Sequence, residues 1–219
     1  MALNKLKFNS LNVTPTADKT VGFNSSANGL EATLSGGSMT FIKKLTASSS
    51  STLSFVDGSS DVVLDSTYKE YIFIFKDIHP ATNDVFFSFQ GSTDGGSSYG
   101  VTITTSFFNA YHNEANTTTN LGYRTGEDLA QSTSFQRFQS NYGAGSDESG
   151  CGFLHLFNPS STTFVKHFIS RSSNYHASDY AIDNFVGGYF NTTSAIDAIQ
   201  FKMSSGNIDA GTITLYGIN

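Results

Sequence analysis

From Met39 onward the chain repeats one pattern: a short run dense in Phe, Ile, Val, Tyr and Thr, closed by a cluster of Gly, Asn, Asp, Ser or Pro. β-Branched and aromatic side chains fit a pleated surface, so each run reads as a strand. The pattern predicts strands over 39–45, 51–56, 69–78, 84–91, 100–110, 134–139, 151–157, 163–171, 184–190, 196–203 and 210–218. Asp57-Gly58, Pro80-Ala81-Thr82-Asn83, Asp94-Gly95-Gly96, Asn158-Pro159-Ser160 and Ser205-Gly206-Asn207 supply the positive φ, fixed φ or side-chain-to-backbone bonds of turns between them. Many short strands with turn signals at regular spacing suit an antiparallel sandwich or barrel, and the fold expected is all-β, an antiparallel β-sandwich of jelly-roll-like type. Helix is expected only as a short turn around Glu127-Asp128-Leu129-Ala130. Two polar excursions, 112–126 and 140–150, are long enough to be functional or pinned by neighbours, and are expected at the ends of the sandwich or on an oligomer contact.

Before Gly36-Gly37 the pattern differs. Apolar residues such as Leu3, Phe8, Val13, Val21, Phe23 and Leu30 stand isolated among Asn, Thr, Ser and Gly, with no sustained period. Such a segment cannot close a core of its own. Residues 1–37 therefore read as an extended N-terminal arm that orders on another surface, and 38–219 as the sandwich body.

Composition narrows the function. Charged residues are 14% of the 219 positions, against about 25% in an ordinary domain, and Phe is abundant (20 residues) while Trp is absent. A net charge of −6, with Lys and Arg scattered, offers no attraction to phosphate backbones, so nucleic acid is not an expected partner. No apolar run approaches the roughly 20 residues of a membrane helix, and no membrane association is expected. MALNKLKFNSLNV lacks the continuous apolar stretch of a secretory signal, which predicts folding in a cytoplasm. The single cysteine, Cys151, has no intrachain partner and reads as a small buried apolar residue.

Little of the chain suggests catalysis. The five histidines form no HExxH or HxH pair, and the acidic loops 57–61 and 146–148 lack EF-hand spacing, so neither a metal nor any other cofactor is expected. His155 and His167, in strands beside Leu and Phe, read as hydrogen-bonded structural imidazoles. Most Asp residues sit in turns such as Asp57-Gly58 rather than as the facing carboxylates that glycoside hydrolysis needs. No GxSxG elbow, P-loop or dinucleotide fingerprint occurs, and no catalytic residue is assigned. Tyr99, Tyr111, Tyr123, Tyr142 and Tyr175 fall in or beside loops, where they either offer platforms to sugars or cap the sandwich edges with a wet hydroxyl. His112, Glu114, Tyr123 and Tyr142 are the candidate ligand-loop residues.

YKEYIFIFKDIHPATNDVFFSFQGSTDGGSSY (68–99), AYHNEANT (110–117), DLAQSTSFQ (128–136), HLFNPSSTTFVKHF (155–168) and YFNTTSAIDAIQFKMSSGNIDAGTITLYGI (189–218) carry a resemblance. Together they resemble a virion structural protein of marine tailed bacteriophages. Most distinctive are the HPATND turn between two aromatic strands and a closing pair, Ile-x-x-Ile-x-Phe and Gly-Thr-Ile-x-Leu-Tyr-Gly-Ile, expected to form a C-terminal hairpin. The resemblance, which covers most of 38–219, implies a non-enzymatic β-sandwich on the particle, as a head-decoration or fibre and appendage subunit; the extended arm 1–37, outside the resemblance, is expected to anchor it by ordering along a neighbouring subunit. Its partners would be other capsid or tail proteins and further copies of itself, a trimer by the default of closed symmetry. The alternative is a receptor- or glycan-binding module of a tail fibre, with loops 112–126 and 140–150 at its tip and a host surface glycan as ligand. The expected location is the virion, after assembly in the host cytoplasm.

Overall fold

Every regular element among the described residues is a β-strand. The structure, a computed structural model, describes residues 19–23, 26, 30–34, 39–139 and 141–218. The chain divides into two units, residues 1–38 and 39–219. In the first, β1 (Lys19–Phe23) and β2 (Leu30–Leu34) pair antiparallel, with Lys19 opposite Leu34. The sequence pattern predicts no element there. The alternation Leu30-Glu31-Ala32-Thr33-Leu34 is long enough for one strand of a ribbon but too short to register as a period.

The second unit holds β3 (Met39–Thr46), β4 (Leu53–Val56), β5 (Glu70–Pro80), β6 (Phe87–Ser92), β7 (Ile103–Asn113), β8 (Thr119–Tyr123), β9 (Gln136–Arg137), β10 (Gly150–Phe157), β11 (Lys166–His176), β12 (Tyr180–Phe190), β13 (Ala198–Met203) and β14 (Ile208–Ile218). They form two antiparallel sheets, a long one of order β3-β14-β5-β10-β11-β12-β7-β8 and a short one of order β4-β13-β6-β9. Aromatic rings join the sheets. Phe73 of β5 meets Phe55 of β4 at 5.2 Å and Phe201 of β13 at 5.4 Å, and Phe89 of β6 meets Phe168 of β11 at 5.1 Å. Burying each such side chain is worth about 1.5–3 kcal/mol and each edge-to-face pair about 0.5–1.5 kcal/mol more, so Phe supplies the bulk that absent Trp does not. The second unit is an antiparallel β-sandwich, its twelve described strands split eight and four.

The closing strands do not form the expected hairpin. β13 pairs with β4 and β6 in the short sheet, while β14 pairs with β3 and β5 in the long one. Phe201 on β13 and Ile213 and Leu215 on β14 are all fully buried, so the two strands face each other across the core instead of pairing edge to edge. Ser204–Asn207 is thus a corner between sheets, tied down by Asn207 Nδ2 donating to the Ser49 carbonyl at 2.9 Å. The HPATND segment is the matching corner from β5 to β6. The turn expected around 127–130 falls earlier, at 125–127, where the Glu127 and Asp128 amides donate to the Arg124 carbonyl.

On one wing of the long sheet the usual pattern is inverted. β7, β11 and β12 turn Asn109, Ser172, Asn174 and Asn184 inward, each at most 4% exposed, while Phe108 and Ile169 face outward at 41% and 53%. The buried amides bond to one another: Asn109 Nδ2 donates to Asn184 Oδ1 at 3.3 Å and Asn184 Nδ2 to Asn174 Oδ1 at 3.2 Å. Polar inner positions are tolerated because they are paired in this way. They also explain why β11 and β12 run further than the apolar pattern predicts, and why β8 forms inside the polar excursion 112–126.

Candidate functional site

The outer face of the long sheet gathers the apolar surface of the second unit. Met39, Phe41, Ile74, Phe108, Leu121, Tyr123 and Ile169 are exposed there, and among the described residues of this unit Phe164 is the one large exposed apolar side chain elsewhere. The register sets them in rows across the strands. In one row Tyr123 lies opposite Phe108, Phe108 opposite Phe185, Phe185 opposite Arg171, Arg171 opposite Phe153 and Phe153 opposite Ile74. In the next, Ile169 lies opposite His155, His155 opposite Ile72, Ile72 opposite Tyr216 and Tyr216 opposite Phe41. The Phe108 and Phe185 rings stack at 4.8 Å and 3°.

Charged groups on this face include Lys44 and Lys76 towards β3 and β5, with Lys76 Nζ 3.5 Å from Asp77, and Arg171 with Asp183 at its middle. Arg171 donates to both oxygens of Asp183, the shorter bond 2.7 Å, and its guanidinium lies 5.0 Å over the Phe185 ring. His155 Nε2 lies 2.9 Å from Glu70 Oε2 and its ring stacks on Phe157 at 4.2 Å, a hydrogen-bonded imidazole on a half-buried outer position. His167, expected as a hydrogen-bonded structural imidazole, is exposed on the same face beside Tyr189.

Where β7, β11 and β12 reach the end of the sandwich, a cavity of about 340 Å³ opens on the inner side, lined by Asn109, Tyr111, Arg124, Glu127, His176 and Tyr180 among others. Asn109 and Tyr111 are alternate residues on the inward side of β7. Arg124, just past β8, is held at three points: its amide donates to the Phe107 carbonyl at 2.9 Å, its Nε to Asn109 Oδ1 at 2.7 Å, and its guanidinium lies 5.2 Å from the Tyr111 ring centroid. No carboxylate lies within ion-pair distance of it among the described residues. Tyr111 meets Tyr180 edge to face at 5.4 Å, and His176 meets Tyr180 likewise at 5.4 Å. The His176 Nδ1 accepts the Ser178 amide at 3.0 Å, which places its proton on Nε2. Burial lowers the pKa of His176 below its usual 6.5, against the opposing charges of Asp84 and Glu127.

A second cavity, about 560 Å³, lies on the outer side of the same end and contains His112 and Glu114, with Asp77, Cys151 and Tyr175. His112 Nε2 bonds Asn116 Oδ1 at 3.0 Å, and the Tyr175 hydroxyl donates to Asp179 Oδ1 at 3.2 Å. Its hydrogen bond to Glu114, then burial and Asp179, hold the Tyr175 phenol well above its usual 10. The structure brings these two candidate residues together and separates the other two. Tyr123 stands on the edge strand β8, its hydroxyl donating to Asp128 Oδ2 at 2.7 Å. Tyr142 is wholly buried, its backbone bridging Val85 and His176, so it is a core residue and presents nothing to a ligand. Cys151, expected to be buried, is exposed because the odd positions of β10 face outward at its start. No group of three or more His, Cys, Asp or Glu able to hold a metal occurs among the described residues.

Arg124, His176 and Tyr180 were not singled out by the sequence, and nothing local marks them. They come from three segments that the register of β7, β11 and β12 brings together. Comparison of the chain with family models, with curated proteins and with solved structures finds no significant match.

Proposed function

We propose that this chain is a non-enzymatic structural subunit of a tailed-phage virion, exposed on the particle as a decoration or appendage protein and associating with further copies of itself. The observation that carries the assembly part is the outer face of the long sheet. Seven strand spacings of about 4.8 Å and strands of some 30 Å give the whole face, polar positions included, roughly 1,000 Å², against the ~800 Å² per partner of a stable interface. Arg171 is paired with Asp183 at the middle of the face, and the lysines Lys44 and Lys76 stand towards its β3–β14–β5 side, so a second copy meets the apolar rows with its arginine charge already paired.

The resemblance of 68–99, 110–117, 128–136, 155–168 and 189–218 to phage virion proteins supports the location, and the low charge of the chain supports a scaffold over a catalyst. Two faces packed on each other would be related by a two-fold axis, whereas a trimer would set three of them around a common axis. Residues 1–37 serve in this reading as the anchor to other capsid or tail proteins. The test is to purify particles of the encoding phage and quantify the chain, with and without residues 1–37. A fixed copy number that falls sharply on deletion is the expected result. Absence of the chain from washed particles contradicts the virion reading, and unchanged incorporation contradicts the anchoring role.

A further inference from the structure

The inner cavity is distinct in position from the outer face and in chemistry from the outer cavity. Its volume, about 340 Å³, falls at the lower end of the ~300–1,000 Å³ of small-ligand pockets. Tyr111 and Tyr180 make one part of its wall, locked edge to face, each combining an apolar ring with a polar hydroxyl. Arg124 is pre-positioned: its Nε bond to Asn109 rests on a buried amide that is itself held by Asn184, and Tyr111 lies against its guanidinium. A fork fixed in this way loses little freedom when it binds.

The charge of the lining decides the class of ligand. Arg124 and Glu127 both border the cavity, and His176 is neutral at pH 7, so the lining carries no net charge to attract an anion or a cation. A wholly apolar ligand would strip water from the Arg124 guanidinium without replacing its hydrogen bonds. A ligand with hydroxyls, each both donor and acceptor, and with a C–H face for the tyrosine wall satisfies both halves of the lining.

We propose that this cavity binds a neutral saccharide, with Tyr111 and Tyr180 as its apolar wall and Arg124 meeting its hydroxyls. The proposal names a site for the glycan-binding alternative on residues other than His112, Glu114, Tyr123 and Tyr142, and it does not depend on self-association.

The test is saturation-transfer NMR on the full chain with glucose, galactose, mannose, N-acetylglucosamine, lactose and maltose, and with glucuronate and N-acetylneuraminate as acidic comparators. At least one neutral sugar is expected to bind and to exceed both acidic sugars. Tyr180→Ala and Arg124→Lys are each expected to weaken that binding at least tenfold at a temperature where their melting profiles show the chain still folded. Tyr99→Ala, which precedes β7 at the opposite end of that strand, is expected to leave it intact. Should Tyr180→Ala melt early, Arg124→Lys alone decides. No transfer from any neutral sugar, preference for the acidic ones, or binding indifferent to Arg124→Lys overturns the proposal. Repeating the titration on Phe108→Lys/Ile169→Lys, altered on the outer face, separates loss of sugar binding from loss of assembly.

Discussion

Gly211 shows how a single backbone position holds the long sheet together. It adopts φ +114° beside the bulged register of β5 and β14, and a Cβ there would stand 2.6 Å from the Asp77 carbonyl oxygen, with Asp77 itself at φ +53°. Gly211→Ala is expected to cost about 1–3 kcal/mol, from backbone strain plus displacement of β5, read as a lower midpoint in urea unfolding. Tyr142 gives the opposite expectation. Its hydroxyl is buried with no hydrogen-bond partner, and burial holds the phenol well above its usual 10. A buried unsatisfied hydroxyl costs about 1–3 kcal/mol, so Tyr142→Phe should leave the unfolding midpoint unchanged or raise it. A clear fall would mean that the hydroxyl has a partner. The sequence pointed to Tyr142 because it stands in a Gly- and Ser-rich stretch, 140–150, yet a buried tyrosine and a loop platform look alike in such a context.

At the scale of elements, the turn after β6 couples sequence chemistry to stability. Asp94 accepts from the Ser98 hydroxyl and amide and from the Ser92 hydroxyl, and these bonds, Ser98 foremost, lower its pKa from 3.8 to about 2. Because the folded value lies below the unfolded one, the stabilisation is complete above about pH 4 and is lost as pH falls through 2. Asp94→Asn should therefore lower stability at neutral pH and flatten its dependence on pH between about 4 and 2, measured by thermal melting across that range. A mutant that keeps the same acid limb would place the effect elsewhere. This turn was legible in Asp94-Gly95-Gly96, as were most strands of the core, because Gly, Asp and runs of Phe and Ile report local conformation directly. The pairing of those strands was not. The chemistry of the β13 and β14 runs suits a hairpin and an inter-sheet corner equally well, and burial of Phe201 against the opposite sheet decides between them.

Across the whole molecule, alternation tells that a strand has two faces but not which one the fold covers. In β7 and β12 the sequence offers Phe108 and Phe185 on one side and Asn109 and Asn184 on the other, and the sandwich encloses the asparagines. That inversion is what leaves the outer face apolar and frees one end of the sheet for a polar cavity, neither of which follows from composition. It also gives the assembly account a sharp consequence. Ile169 is 53% exposed, so Ile169→Lys should change the stability of the single chain by no more than about 0.5 kcal/mol, and Phe108→Lys should lower it by about 0.5–1.5 kcal/mol through loss of the Phe185 stack, while both place like charges opposite each other in any face-to-face contact.

The central claim, that this face joins copies of the chain, is tested most directly by sedimentation velocity of the full chain beside Phe108→Lys/Ile169→Lys at the same concentration. The account predicts a discrete oligomer for the unaltered chain and a single 23.6 kDa species for the variant. A native chain that sediments as a monomer, or a variant that associates as well as the native chain, would contradict it.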